Sequence, residues 1–370
     1  MSQPKHQHFI PRTYLRNFAI EKDGKFFVQA KAKNDEKPKE RLLSIKDICV
    51  EKNLYTIPHA EEFDKYAIEK YYAENVDAIY PEVYELLTNP KVTTISDEQR
   101  EKIISTTLSL YFRTPKFLNI GRRRTDKILE HVSKNFADES GNVKLQFMGY
   151  NLDFNIDDIE AVKQSLNAKE KILFLKNHIQ EWHEFIKFKY RAAISVLRIY
   201  DDIKLITSDN PVVMRNHDGK FYSPFDPNNI IHLPLDSKHY LTIYPNTMDV
   251  DAPNMIFRGN QDKWFALTTN LGVERNSETW ILGEPESLTA HIIDQENYGA
   301  VTPENIQSMN DMKEKGHDIQ KLNDVITETG TVAHQKVADF VRELLKKRIH
   351  KNDPEMLKVA LIVTQLGFPV

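Results

Sequence analysis

Residues 5–18 read KHQHFIPRTYLRNF, and this stretch places aromatic and aliphatic side chains at the start of the chain. Chain ends are usually polar and poorly ordered. Phe9, Ile10 and Leu15 are instead expected to be buried, so the polar groups between them should be held in place. Pro11 suits the first turn of a short helix, because its missing N–H leaves no helical hydrogen bond unmade.

A second distinctive stretch lies far downstream, where residues 205–213 read LITSDNPVV. Polar side chains gathered where a buried strand ends are typical of site residues. Asp209 could serve as a base, a metal ligand or an anchor for a cation, and Ser208 could donate to an anion. The alternative is structural, since Asp and Asn before Pro favour a turn whose side chains bond nearby backbone N–H groups.

Two histidines and one arginine add candidate chemistry. His6 and His8 are two residues apart and point to the same side of an extended segment, where they could share a metal ion or a proton. Alternatively, His8 hydrogen-bonds a backbone carbonyl. Arg113 ends a strongly apolar helix, so it needs a carboxylate, a phosphate or a helix C-terminal carbonyl as partner; Asp209 is one candidate.

Composition bounds the class of protein. The chain has 370 residues, 40% of them hydrophobic and 28% charged, with a formal net charge of -4. This is enough apolar material for a substantial core. The single cysteine, Cys49, excludes an intramolecular disulfide and a cysteine-rich zinc site. No signal peptide and no run of about 18 apolar residues occurs, which predicts a soluble, cytoplasmic protein with no membrane partner.

Hydrophobic periodicity predicts an α+β fold that is predominantly helical, with a mostly antiparallel central sheet from the middle of the chain. Helices are expected through residues 61–137, with a capping box at Ser96-x-x-Gln99, and strands at 25–32 and between 191 and 244. We expect one α+β core domain in residues 1–300 that carries both motifs. Residues 301–370 should form a helical region packed on that core.

Several familiar sites are not supported. His178 and His183 are five residues apart, which differs from the spacing of H-E-x-x-H, and neither a P-loop nor G-x-G-x-x-G occurs. The densest basic run is Arg122-Arg123-Arg124. Such a cluster can neutralise phosphates, although charge runs are more often solvated faces.

The chain resembles the bacterial domain-of-unknown-function family numbered 4238. The resemblance rests on Gln7-His8-Phe9-Ile10-Pro11 with Tyr14-Leu15-Arg16-Asn17-Phe18, on Tyr55-Thr56, on Arg113-Thr114-Pro115 and on Thr207-Ser208-Asp209-Asn210-Pro211-Val212. It covers most of residues 5–280 and implies a soluble, mostly prokaryotic protein without an agreed activity. The polar residues of these motifs become a joint site candidate: His8, Asn17, Arg113, Ser208, Asp209 and Asn210.

The first functional hypothesis is a hydrolase or nuclease acting on a phosphate-containing substrate. His8 would be the general acid and base, Asp209 a base or metal ligand, and Arg113 the anion clamp. The substrate-binding residues would be Asn17, Ser208 and Asn210, and a divalent metal is a candidate cofactor. This hypothesis needs His8, Arg113 and Asp209 to meet around one cavity.

Two other hypotheses use the same residues differently. In a non-catalytic binding or regulatory protein, His8 and Asn17 would bond backbone groups and the Ser-Asp-Asn-Pro turn would fix the sheet. In a nucleic-acid-binding module, Arg122, Arg123, Arg124 and neighbouring lysines would contact phosphates, with steep salt dependence.

Overall fold

A computed structural model describes residues 6–34, 41–57, 65–147, 150–200, 202–216, 223–246, 254–261 and 263–298. The helical region predicted for residues 301–370 lies outside these ranges. The helices of the described residues are α1 (Arg12–Leu15), α2 (Ala67–Tyr72), α3 (Tyr80–Thr88), α4 (Asp97–Phe112), α5 (Pro115–Phe136), α6 (Ile159–Lys189), α7 (Lys263–Asn276) and α8 (Ser287–Tyr298).

The strands form four sheets within the described ranges. They are β1 (His6–His8), β2 (Ile20–Lys22), β3 (Lys25–Ala32), β4 (Arg41–Ser44), β5 (Val50–Lys52), β6 (Asn142–Phe147), β7 (Tyr150–Asn155), β8 (Ile194–Ile199), β9 (Thr207–Ser208), β10 (Val213–Arg215), β11 (Ile230–Pro234), β12 (His239–Ile243), β13 (Ile256–Gln261) and β14 (Trp280–Gly283). The α+β prediction is confirmed, because helices occur with several mostly antiparallel sheets.

The strands from the middle of the chain are divided between two sheets. One sheet has the order β10-β11-β12-β8-β13 and is antiparallel except for β13, which runs parallel to β8. The other joins β2, β3, β4, β14 and β9, so the short strand Thr207–Ser208 pairs with β14 near the C-terminal end of the described chain. Strands β1 and β5 form a separate pair, and so do β6 and β7.

Local sequence explains where the central helices begin and end. Ser96 and Gln99 make the expected capping box at the start of α4. This helix ends at Phe112 because Pro115 has no N–H for an intrahelical bond, and Thr114 instead caps α5 through the Phe117 N–H. Helix α6 starts at Ile159, because a 3₁₀ turn capped by Asn155 leads into it.

The N-terminal stretch is part of the main hydrophobic core. Phe9, Ile10, Tyr14, Leu15 and Phe18 are buried in one cluster with side chains from α3, α4, α6 and the β8 sheet. A second, smaller cluster lies where α5, α6 and the β6–β7 hairpin meet: Leu129, Val143, Phe154 and Leu166. We call the β6–β7 hairpin with the adjoining ends of α5 and α6 the hairpin arm.

Candidate functional site

His8 is held by backbone contacts. Strand β1 pairs with β5, placing His8 opposite Val50, and the His8 ring Nε2 is 3.2 Å from the carbonyl oxygen of Ile45. Burial lowers the pKa of His8 from its ordinary value. The contact matches the backbone-bonding alternative for this residue, and His6 is exposed beside it.

Arg113 is 1% exposed and has several partners. Its Nη1 lies 2.7 Å from Asp77 Oδ1, its Nη2 donates to the carbonyl oxygen of His8 at 2.7 Å, and its guanidinium stacks 4.3 Å from the Tyr72 ring centroid. Burial is the largest influence on the pKa of Arg113 and would lower it, but the charge and hydrogen bond of Asp77 together with the nearby Tyr55 and Tyr72 outweigh burial and raise the pKa. The carboxylate partner is therefore Asp77, which is the last residue of the π-helical turn Ala73–Asp77.

The Ser-Asp-Asn-Pro turn is an anchor for the strand that pairs beside it. Asp209 Oδ1 accepts from the backbone N–H of Glu278 at 2.9 Å, and Oδ2 accepts from Thr279 at 2.7 Å and Trp280 at 3.0 Å. Burial raises the pKa of Asp209, and these three donors oppose that rise. The carboxylate thus fixes the start of β14.

The neighbours of Asp209 are also engaged in backbone contacts. Ser208 Oγ accepts from the Asn210 N–H at 3.1 Å, and Asn210 Nδ2 donates to the carbonyl oxygen of Asn276 at 3.1 Å. Asn210 Oδ1 accepts from Thr114 at 3.4 Å. The side chains of Ser208 and Asn210, which the sequence analysis proposed as substrate-binding groups, are therefore engaged in bonds within the protein.

The two sequence motifs meet at the junction between α4 and α5. Arg113 bonds the backbone of His8, and the next residue, Thr114, bonds Asn210. Beside this junction lies a cavity of about 310 Å³ whose lining includes Phe9, Pro115, Lys116 and Asp209. His8 and Arg113 are not among its lining residues. The predicted trio is therefore close in space, but of the three only Asp209 lines this cavity.

The other half of the N-terminal motif reaches a different place. Tyr14 Oη donates to the carbonyl oxygen of Pro234 at 2.8 Å, and Asn17 Nδ2 donates to that of Leu235 at 3.3 Å. Pro234 is the last residue of β11, and Leu235 is the first residue of the turn that joins β11 to β12. We call this segment, Leu235–His239, the dyad turn.

The dyad turn carries an aspartate–histidine pair. Asp236 Oδ2 is 2.8 Å from His239 Nδ1 and accepts the Tyr84 hydroxyl at 2.6 Å. Asp236 Oδ1 accepts the backbone N–H groups of Lys238 at 2.6 Å and His239 at 2.7 Å. Burial alone would raise the pKa of Asp236, but these hydrogen bonds and the nearby imidazole outweigh it and lower the pKa. An ionised Asp236 therefore accepts from Nδ1–H of His239.

His239 lines the larger of the two cavities described here, about 610 Å³, on one face of the β8 sheet. Register places His239 opposite Arg198 and Arg198 opposite Asn260, so these three lie side by side on β12, β8 and β13. Arg198 is exposed and makes no hydrogen bond or ion pair within the described ranges. Because His239 Nδ1 is engaged by Asp236, Nε2 is the ring nitrogen that has no partner among the described residues.

A second arginine fixes one wall of this cavity. Arg258 donates to the carbonyl oxygens of Leu86 at 3.0 Å and Leu87 at 2.7 Å in the last turn of α3, and to that of Val92 at 2.7 Å beyond it. It satisfies carbonyls that a helix end leaves without partners. The described lining contains Arg198, His239 and Arg258 and no carboxylate, so the cavity has positive character.

Sequence reasoning missed this site, although a signal for it is present. The criterion that singled out Asp209, polar residues at the end of a buried strand, applies equally to Asp236 and His239 between two predicted strands. For Arg198 the sequence predicts only a solvent-facing position in a strand. Its place beside His239 depends on strand register, which a single sequence does not supply.

Metal and basic-patch sites have little support in the described part of the chain. No group of three or more His, Cys, Asp or Glu side chains there could hold a metal ion. In the predicted basic run, Arg123 pairs with Glu278 and Arg122 donates to Asn119 Oδ1 at 3.3 Å. The Arg124 side chain lies outside the described part.

Comparison with known proteins gives one match. A family described as Protein of unknown function (DUF4238) matches residues 6–328. No curated protein and no solved structure matches the chain. Among the described residues, no helix combines the length and apolar character needed to cross a membrane.

Proposed function

We propose that this chain, which belongs to the DUF4238 family, is a hydrolase that acts on a phosphate-containing substrate in the cavity beside His239. The observation that carries the proposal is the pairing of His239 with a buried, ionised Asp236 next to Arg198, whose guanidinium has no hydrogen bond or ion pair to the described residues. An imidazole oriented by a carboxylate is a common general acid and base.

The roles of the residues follow from their hydrogen bonds. Asp236 holds the proton of His239 on Nδ1, which leaves Nε2 able to accept a proton from water. The water oxygen bonds to phosphorus, the phosphorus–oxygen bond to the leaving alcohol breaks, and the imidazolium returns the proton to that oxygen. Asp236 stays ionised and stabilises the imidazolium.

The choice of an anionic substrate rests on charge. Arg198 offers a planar set of N–H donors that suits phosphate oxygens, and the described lining has no carboxylate to repel the anion. Asn260, beside Arg198 on β13, adds an amide that can donate to the same group. The residues first considered, His8, Arg113 and Asp209, hold the scaffold in this proposal.

The test is hydrolysis of p-nitrophenyl phosphate, bis(p-nitrophenyl) phosphate and a single-stranded oligonucleotide, with and without added Mg²⁺. We expect His239→Asn to lower kcat by about 100-fold or more, because a general base is worth at least that much. Arg198→Met should act mainly on KM. His131→Asn, which changes an exposed histidine on α5, is the matched control.

The outcomes separate the candidate functions. Turnover that survives His239→Asn would place the chemistry elsewhere, and absence of turnover with every ester would remove the hydrolase. Phosphate binding that Arg198→Met abolishes, without turnover, would instead support the binding-protein alternative. That alternative is favoured by the backbone bonds of Ser208, Asp209 and Asn210. Cleavage of the diester and the oligonucleotide would specify a nuclease.

Cellular location and nucleic-acid contact remain part of the proposal. A cytoplasmic location is supported by the lone cysteine, Cys49, which is 3% exposed and leaves no intramolecular disulfide to form. Nucleic-acid contact through the Arg122-Arg123-Arg124 run would need Arg123 to leave Glu278. It predicts binding of oligonucleotides that weakens steeply with salt.

A further inference from the structure

The N-terminal motif and the Asp236–His239 pair are physically joined. Tyr14 is completely buried, and its hydroxyl lies 2.8 Å from the carbonyl oxygen of Pro234 and 2.7 Å from Thr207 Oγ1. Burial raises the pKa of Tyr14, so the hydroxyl keeps its proton. Because the carbonyl can only accept, Tyr14 donates to Pro234 and accepts from Thr207.

The dyad turn is closed on itself by hydrogen bonds between its own residues. The Leu235 N–H donates to the carbonyl oxygen of His239 at 2.8 Å. Asp236 Oδ1 binds the N–H groups of Lys238 and His239 inside the same turn. A displacement of the Pro234 or Leu235 carbonyl is therefore passed to the Asp236 carboxylate and the His239 ring.

The turn is also anchored from two other directions. The Ser237 carbonyl accepts from the Leu205 N–H at 2.8 Å, and Tyr84 reaches Asp236 from α3. The side of the turn that faces the N-terminal stretch is held by Tyr14 and Asn17. A site of this kind needs its first contacts oriented by a second layer of hydrogen bonds.

We infer that Tyr14 and Asn17 are positioning residues for the Asp236–His239 pair, so that the N-terminal motif acts on the site through the backbone of Pro234 and Leu235. The inference rests on the proposed function only for its catalytic consequence. The mechanical part, that these two side chains hold the dyad turn, can be measured without any substrate.

The experiment compares Tyr14→Phe with Tyr55→Phe in the full chain. Tyr55 is a matched control, because it is also completely buried and its hydroxyl also donates to a backbone carbonyl, that of Arg113. Amide hydrogen exchange is followed at Lys238 and His239 and corrected for the global stability of each variant. We expect roughly tenfold faster exchange in Tyr14→Phe and no local change in Tyr55→Phe. Asn17→Ala is a second variant in case Tyr14→Phe folds poorly.

The results distinguish the inference from the proposed function. Equal exchange of the two amides in all three variants and in the parent chain overturns the positioning role, whatever the activity. If the parent chain shows no turnover and Tyr14→Phe still loosens the turn, the positioning role is supported and only the hydrolase proposal is removed. With an active parent, kcat should fall in Tyr14→Phe at unchanged KM, while an equal fall in Tyr55→Phe would overturn the inference.

Discussion

At the scale of single residues, the chain separates charges that maintain the scaffold from charges that face solvent. Arg113 is almost fully buried and opposite Asp77, whereas Arg198 is exposed and without a protein partner in the described ranges. Burying a charge is tolerated only when a counter-charge and hydrogen bonds compensate it. The arginine that sequence reasoning selected is thus bonded to protein groups, and the arginine it overlooked faces solvent.

Removing the counter-charge of Arg113 should strongly destabilise the fold. We expect Asp77→Asn to lower the free energy of unfolding by about 3 kcal/mol, because an uncompensated guanidinium would remain buried. Urea denaturation followed by circular dichroism measures the change. Asp153→Asn is the control, since Lys144 and Asp153 are both exposed and their pair should contribute little. Equal effects of the two substitutions would contradict the role given to Asp77.

Glu69 should make stability depend on pH. Burial raises the pKa of Glu69 to about 7, while Arg113 lowers it and Asp77 raises it further. The folded pKa lies above the unfolded one, so the folded chain binds more protons between the two values. Stability should therefore fall as pH rises from about 4.5 to about 7. Glu69→Gln should remove this part of the pH dependence and stabilise the fold at pH 8 by about 1 kcal/mol, a figure reduced for partial exposure.

Urea denaturation of the parent and Glu69→Gln at several pH values measures that contribution. The other charged groups acting on Glu69, Arg113 and Asp77, are unchanged in the variant. Glu74→Gln, an exposed position on the following turn, is the control. A stability difference between parent and Glu69→Gln that stays constant from pH 4.5 to pH 8 would be evidence against the raised pKa.

At the scale of secondary-structure elements, features set by neighbouring residues could be predicted, whereas strand pairings between distant segments could not. Strand β3 was expected at residues 25–32 and occupies Lys25–Ala32, and the capping box at Ser96 is present. Both depend on neighbours within a few residues. The separate sheet of Thr207–Ser208 depends on β14, more than seventy residues later in the chain. The Asp236–His239 pair was not predicted for the same reason, because Tyr84, which bonds Asp236, and Arg198, which lies beside His239, are distant from the pair in sequence.

The hairpin arm should open more easily than the elements around it. Its small apolar cluster is separate from the main core, and local opening costs less where few apolar contacts are lost. We expect amides of β6 and β7 to exchange with an opening free energy at least about 2 kcal/mol below that of β8 and β12. Phe154→Ala should speed exchange in the arm alone. Equal protection of β6 and β8 would show that the arm unfolds only with the whole molecule.

At the scale of the whole molecule, one core joins segments that are distant in sequence. The N-terminal stretch packs against helices α3, α4 and α6 and against the sheet that carries the dyad turn. Composition predicted that such a core could exist, and the family resemblance selected the motif segments as candidates for the functional site. Neither composition nor the resemblance could predict that the motif would contact the candidate site through backbone carbonyls. Every residue has such a carbonyl, so the residue types at 234 and 235 do not reveal the contact.

The contacts of Tyr14 have a consequence for how the chain is made. Its partners Thr207 and Pro234 are 193 and 220 residues further along. At a synthesis rate of roughly 5–20 residues per second, the ribosome needs on the order of 10–40 s to produce them after Tyr14. During this interval Tyr14 can contact Phe18 and Tyr80, which are made earlier, but its hydroxyl still lacks Thr207 and Pro234. The nascent protein therefore completes this part of its core only after residue 234 has been synthesised.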